Sequence, residues 1–391
     1  MITVLHGASS IVKGRIDSPL SNGDAIRTED GVIERVGSSD ELLALPHDLA
    51  IDASNAVIVP GLIDPHTHPV LGDFTPRQNT LGWVGAHVNG GVTTLISAGE
   101  THWPGRQRTP IGAKSIAMAA AQSSLSLRPG GAKLHGGALL IEPGLTSDDF
   151  DEMHWAGVRL VGEVGLGSSI DPNEIREPLE EARARGWIIP MHVGGASVPG
   201  SHVVPGDLVI ELQPDVISHA NGGPTARPLA EIIAAVEGSS AAVEVVQAGN
   251  TRALIDIVRY LDREGLLARL QFGTDSPSGT GIMPLGILRS IAYAVALGGI
   301  DPVTALCCAT GEVAARYRLD VGVIEPGSPA DLVVLDVPFG GQGTTALDSL
   351  RNGDVPSVAL VMVDGEIVAS PSRVTPPPTH KPIVNTGAVA G

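Results

Sequence analysis

The chain of 391 residues has room for two or three domains of typical size, or for one barrel with an accessory layer. Hydrophobic residues at 43% and charged residues at 17% exclude an intrinsically disordered chain, which cannot bury enough apolar surface to fold. Lys+Arg 25 against Asp+Glu 43 gives a net charge of −18, which argues against nucleic acid and against an anionic membrane surface as partners.

In chain order, residues 2–5, 25–28, 31–36 and 56–59 read as short strands between turns. The start of the chain lacks the basic and apolar segments of a signal peptide, and the longest apolar stretch, 282–300, is interrupted by Arg289, so a cytoplasmic protein is expected. From 61 to 319 short apolar runs alternate with amphipathic segments, the pattern of repeated βα units around a parallel sheet. Eight runs end near His68, Ser97, Leu140, Val164, His192, His219, Gln247 and Asp275. Helices are expected over 172–185, 228–237, 252–267, 285–297 and 302–317. Cys307 and Cys308 are adjacent in the last of these, which rules against an ordinary intrachain disulfide and suits a reducing compartment. Residues 327–336 and 357–366 return to strands, and the Pro-rich tail reads as extended or flexible.

The expected fold is therefore α/β: a (β/α)8 TIM-type barrel over 61–319, with a small β-sandwich built from 1–60 and 320–370 and an extended tail at 371–391. A doubly wound sheet would carry a Gly-rich phosphate turn after its first strand, where this chain has His66-Thr67-His68.

The chemistry gathers at the strand ends. Residues i and i+2 of a strand project to one side, so His66 and His68 can reach a single metal. Taken alone, an H-x-H triplet is a weak signal. Glu163, His192, His219 and Asp275 lie at further strand ends; each alone could be a helix cap, an ion-pair partner or a core histidine. Four imidazoles and two carboxylates together match the ligands of Zn²⁺, Fe²⁺ or Mn²⁺ and exceed what one tetrahedral zinc requires, which predicts two divalent ions.

The run Val59-Pro60-Gly61-Leu62-Ile63-Asp64-Pro65-His66-Thr67-His68, then Gly91-Val92-Thr93-Thr94, the strand-end ligands, and Gly322-Val323-Ile324-Glu325-Pro326-Gly327-Ser328-Pro329-Ala330-Asp331-Leu332 resemble the amidohydrolase superfamily over nearly the whole chain. Within it, Pro76-Arg77-Gln78, Pro104-Gly105-Arg106, His135-Gly136-Gly137-Ala138, Gly162-Glu163-Val164-Gly165-Leu166-Gly167, Asn221-Gly222-Gly223-Pro224-Thr225 and Pro277-Ser278-Gly279-Thr280-Gly281 are most similar to members that hydrolyse small cyclic enamides. The resemblance implies that His66, His68 and Asp275 hold the more buried metal, that His192 and His219 hold the second, and that Glu163 bridges them. Many members use a carboxylated lysine as bridge; Lys133, on the third strand, is the lysine that could compete with Glu163 for that place.

Two cations about 3.5–4 Å apart would bring a shared water's pKa from 15.7 toward neutrality, giving a bridging hydroxide as nucleophile. Asp275 would shuttle its proton to the departing nitrogen. The resemblance implies a small cyclic amide or enamide bearing a carboxylate as substrate, with Arg77 or Arg106 as its binder and His135, Asn221, Gln247, Asn250 and Ser276 as pocket residues by position. The alternatives are a deacetylase or dipeptidase acting on linear amides, and a superfamily deaminase. Deaminases typically carry a glutamate three residues after the fifth-strand histidine, where this chain has Gly195. A scaffold that had lost its chemistry would lack ligands, and all six are present. By analogy with the same superfamily, a homo-oligomer, tetrameric, is expected.

Overall fold

The structure is a computed structural model that describes residues 1–69, 77–99, 106–166, 169–196, 202–223, 225–277 and 281–386, with the side chains of 77–81 left aside. Strands from the two ends of the sequence join in two sheets. One runs in the order Ile383–Thr386, Leu49–Asp52, Ile2–His6, Ala25–Glu29, Val32–Gly37. The other runs Glu366–Ala369, Ser357–Val363, Leu332–Asp336, Val57–Pro60, Ser10–Arg15, Ser18–Leu20. Val57–Pro60 and Leu332–Asp336 pair antiparallel, with Val59 opposite Val333. Leu5, Ile26, Ile51, Ile58, Leu332 and Leu360 meet in one buried cluster between the sheets. The turn at Asp364-Gly365 has φ of 48° and 78°, the left-handed pair that a two-residue hairpin needs.

Sequence reasoning missed Ser10–Arg15, Ser18–Leu20 and Leu49–Asp52, which are short and only partly apolar. It also left the tail loose. In the structure Ser372 N–H donates to Val358 O (3.0 Å), Thr379 N–H to Val337 O (2.9 Å), and Ile383–Thr386 completes a sheet edge against Leu49–Asp52.

Between the two ends lie parallel strands separated by helices. Leu62–Thr67, Val92–Ser97 and Lys133–His135 pair in order. Ala138–Leu139 pairs with Leu160–Val161, and Pro190–His192, Val216–Ser218, Ala242–Val246 and Leu270–Gly273 follow in order. Parallel bridges join Leu160 to Ile188 and Val164 to Met191. The end of the last strand returns to the first: Asp275 N–H donates to His66 O and His68 N–H to Ser276 O, each at 2.9 Å.

Helix starts follow local sequence. Asp171 accepts from Asn173 N–H ahead of Pro172, and Asp301 accepts from Val303 and Thr304 N–H ahead of Pro302. The helix expected over 302–317 is two, Pro302–Cys307 and Gly311–Tyr317. Gly311 packs so closely on the backbone of Gly14 that a Cβ would lie 2.2 Å from its carbonyl, and the interruption lets the end sheets approach. Both cysteines are buried and free. Among the described residues no helix is long and apolar enough to cross a membrane.

Candidate metal centre

At the carboxyl ends of the parallel strands the structure brings together the buried His66, His68, Glu163, His192 and His219 and the half-buried Asp275. Room is made by glycines. A Cβ on Gly273 would lie 2.9 Å from the His66 Cβ, and one on Gly99, at φ +117°, would lie 3.1 Å from the Gly162 Cα beside Glu163. His219 and Asp275 hold positive φ, 33° and 61°, which turns their side chains off the strand direction at a cost of order 1–3 kcal/mol each.

Glu163 sits at the centre, fully buried, and its two oxygens face different partners. Oε2 lies 3.3 Å from His66 Nε2 and 3.6 Å from His68 Nε2. Oε1 lies 2.7 Å from His219 Nε2 and 3.6 Å from His192 Nδ1. Asp275 Oδ1 closes the first group, 3.2 Å from His68 Nε2 and 3.7 Å from His66 Nε2.

Behind this shell the imidazoles are aimed. His66 Nδ1–H donates to Glu244 Oε1 at 2.6 Å and His68 Nδ1–H to Gly99 O at 2.8 Å, so each presents Nε2 to the cluster. Glu244 also accepts from His219 N–H and from Gln271 Nε2. Asp64 accepts from Thr274 N–H, Thr274 Oγ1–H and His66 N–H; burial raises its carboxyl to about 7 against those three bonds. Glu244 and Asp64 were missed by sequence reasoning. Their one trace is a carboxylate inside an otherwise apolar strand, as in Ala242-Val243-Glu244-Val245-Val246.

The electrostatics call for positive charge. Burial works to raise Glu163, yet the charges of His66 and His219 hold it well below the usual range. Burial likewise opposes the charged form of His66, and the Glu163 and Glu244 carboxylates override it and push its pKa well up. Buried carboxylates need a compensating cation, whether a proton on imidazole or a metal. Nitrogen and oxygen donors converge: His192 Nδ1 and His219 Nε2 are 3.1 Å apart, while His66 Nε2 and Glu163 Oε2 are buried with no hydrogen-bond partner among the described residues. Such a donor set fits divalent first-row cations.

The other expected site residues are more dispersed. The third strand breaks at Gly136-Gly137, so His135 ends its first half, level with Ile96, and lines a cavity away from Glu163 rather than a substrate pocket at the strand ends. Lys133 takes no part in the cluster: its Nζ bonds Asp331 (2.8 Å) and Asp364 (2.6 Å) in the end sheets. Arg106 is ion-paired with Glu142. Asn221 is buried, bonding Val246 N–H and O, and Asn250 caps a helix by accepting from Ala253 N–H. Gln247 accepts from Ser290 Oγ and Ser276 Oγ from Met283 N–H. The Arg77 side chain, His102, Pro104-Gly105, Gly167, Pro224 and 278–280 lie outside the described residues.

Comparison with known proteins fixes the family. Enamidase of Eubacterium barkeri is 42% identical over 375 residues, covering 96% of this chain and 97% of its own. The chain belongs to the amidohydrolase superfamily. A crystal structure of enamidase, described as a member of that superfamily, superposes with a TM-score of 0.94 at 41% identity, over 98% of this chain and 100% of the other. An Amidohydrolase family profile matches residues 248–368. Imidazolonepropionase of Salinispora arenicola is 27% identical over 83% of this chain and 89% of its own. The present amidohydrolase is thus a hydrolase of carbon–nitrogen bonds other than peptide bonds.

Proposed function

We propose that this amidohydrolase opens a small cyclic enamide or amide bearing a carboxylate, with two divalent cations held by the six clustered residues. The observation that carries the reading is the division of Glu163, one oxygen toward the His66 and His68 pair and the other toward the His192 and His219 pair. His66, His68 and Asp275 would hold one ion, His192 and His219 the other, and Glu163 both. Zn²⁺, Fe²⁺ and Mn²⁺ all suit this donor set. Bound there, the ions supply an activated water at neutral pH and polarise the amide carbonyl.

Asp275 does the proton work. Its side chain is 16% exposed, and although burial opposes the charge, the neighbouring histidines hold its pKa below the ordinary range and so keep it ionised. It can accept a proton from the attacking water and return it to the departing nitrogen, a poor leaving group until protonated. Ring opening of an enamide leaves an enamine, which takes up a second water and releases ammonia.

The cyclic substrate is supported by the near full-length likeness to enamidase and by a second relative named for an imidazolone ring. Arg77, whose helix Arg77–Asn89 follows the first parallel strand, and Arg106 are our two candidates for binding the ring carboxylate. The parallel strands, rejoined through His66 and Asp275, support a closed (β/α)8 barrel over 61–319; the two end sheets support a β-sandwich from 1–60 and 320–370. We also propose a homo-oligomer, to be checked by light scattering.

Elemental analysis of purified protein should return two divalent ions per chain, and one or none would remove the binuclear reading. Ammonia release should be faster from cyclic enamides with a ring carboxylate than without. Asp275→Asn, which tolerates the same left-handed backbone, should keep its metal and lose about 10²–10⁴ in turnover.

A further inference from the structure

Against Ile96 and His135, and beside the starts of Leu160–Val161 and Pro190–His192, lies a cavity of about 500 Å³ that shares no residue with the metal centre. Its inner wall is apolar, formed by Ile96, Leu160 and Ile188 beside the buried Tyr317. Its rim carries Arg128, Arg159 and Arg318, all exposed. Among the described residues these three guanidinium groups donate only to backbone carbonyls: Arg128 to Ser124 and Leu127 (3.0 and 3.1 Å), Arg159 to His154 and Val158 (2.6 and 2.8 Å), Arg318 to Gly186 (2.6 Å). Among the described residues none of the three is ion-paired with a carboxylate. In a chain with 43 acidic residues against 25 basic ones, three acid-free arginines around one opening are a local reversal of charge. The fourth arginine of the lining, Arg185, is engaged by Asp151 and Glu181.

We propose that this cavity binds a small organic carboxylate with an apolar body, its head group against Arg128, Arg159 and Arg318 and its body against Ile96, Leu160 and Ile188. Guanidinium groups suit a planar carboxylate, and the apolar wall distinguishes such a ligand from inorganic phosphate, which would leave it uncovered. His135 lines the same space, and its ring has no hydrogen-bond partner among the described residues. Burial, assisted by the charges of Arg128 and Lys133, pushes its pKa down to about 4, so near neutral pH it is an uncharged ring able to donate one N–H.

The test is calorimetric titration of the metal-loaded protein with hexanoate, hexanamide and inorganic phosphate, in the wild type, in Arg159→Gln/Arg318→Gln and in Arg128→Gln. Hexanoate should bind the wild type; Arg128→Gln should weaken it about ten-fold, the scale of one lost charge-assisted hydrogen bond, and Arg159→Gln/Arg318→Gln about 100-fold, the scale of two. Hexanamide and phosphate should each bind at least about ten-fold more weakly than hexanoate, and hydrolytic activity without added ligand should be the same in all three proteins. Arg128→Gln carries the test if the double variant does not fold. Equal hexanoate affinity in wild type and variants would place the anion at the metal centre and overturn the proposal. So would phosphate binding as tightly as hexanoate, or the absence of hexanoate binding to the wild type.

Discussion

One oxygen of Glu244 receives both the His66 imidazole and the backbone N–H of His219, so a single carboxylate ties the first parallel strand's histidine to the turn after the sixth. It fixes the His66 tautomer and makes the ring a better donor. Glu244→Gln keeps the volume and removes the charge. Metal affinity should fall about 10–100-fold, read by elemental analysis after dialysis against graded chelator, and unchanged retention would dismiss the positioning role. His66, His68, Glu163, His192, His219 and Asp275 were legible as a group because strand alternation and Gly-rich turns mark strand ends in sequence. Glu244 was not, since a lone carboxylate inside a buried strand has no spacing to betray its partner. Arg106 shows the same limit: its ion pair with Glu142 joins residues whose proximity only the fold creates.

At the level of elements, caps and breaks decide what position alone suggested. Asn250 follows a strand end, as a pocket residue would, yet its side chain caps Thr251–Arg263. Asn250→Ala should therefore cost about 1 kcal/mol in urea unfolding with KM unchanged; a raised KM at unaltered stability would return it to the pocket. His87, in the helix Arg77–Asn89, is fully buried, donates from Nδ1 to Trp83 O, and is pushed down to about 4 by burial. Its folded pKa lies below the unfolded value near 6.5, so the folded state favours the neutral ring. The stability this gives is complete above about pH 6.5 and is lost as pH falls toward 4, on the order of 3 kcal/mol. His87→Leu should flatten that part of the pH–stability curve, and an unchanged slope would assign it elsewhere. The alternation of parallel strands and helices was readable from periodicity; the split at Gly136-Gly137, which separates His135 from Ala138–Leu139, was not, because paired glycines read equally well as a turn.

Across the whole molecule, Lys133 is the clamp between the parallel strands and the end sheets, its ammonium set on the buried Asp331 and on Asp364. Burial raises the Asp331 carboxyl, and Lys133 opposes that rise. Lys133→Met should destabilise by about 3 kcal/mol near neutral pH with metal content and kcat unaltered, and the deficit should shrink as acid protonates the stranded carboxylate. A loss of metal in this variant would restore the lysine to the centre.

The antiparallel pair Val57–Pro60 and Leu332–Asp336 joins segments separated by most of the chain. On the ribosome the amino-terminal strands emerge first and wait, with open edges, until nearly everything else has been made. The parallel strands between can pack meanwhile, since they pair with their immediate successors. The slow, concentration-sensitive step of biogenesis should thus be closure of the end sheets, and chaperone dependence should track the exposure of those waiting edges rather than the assembly of the active centre.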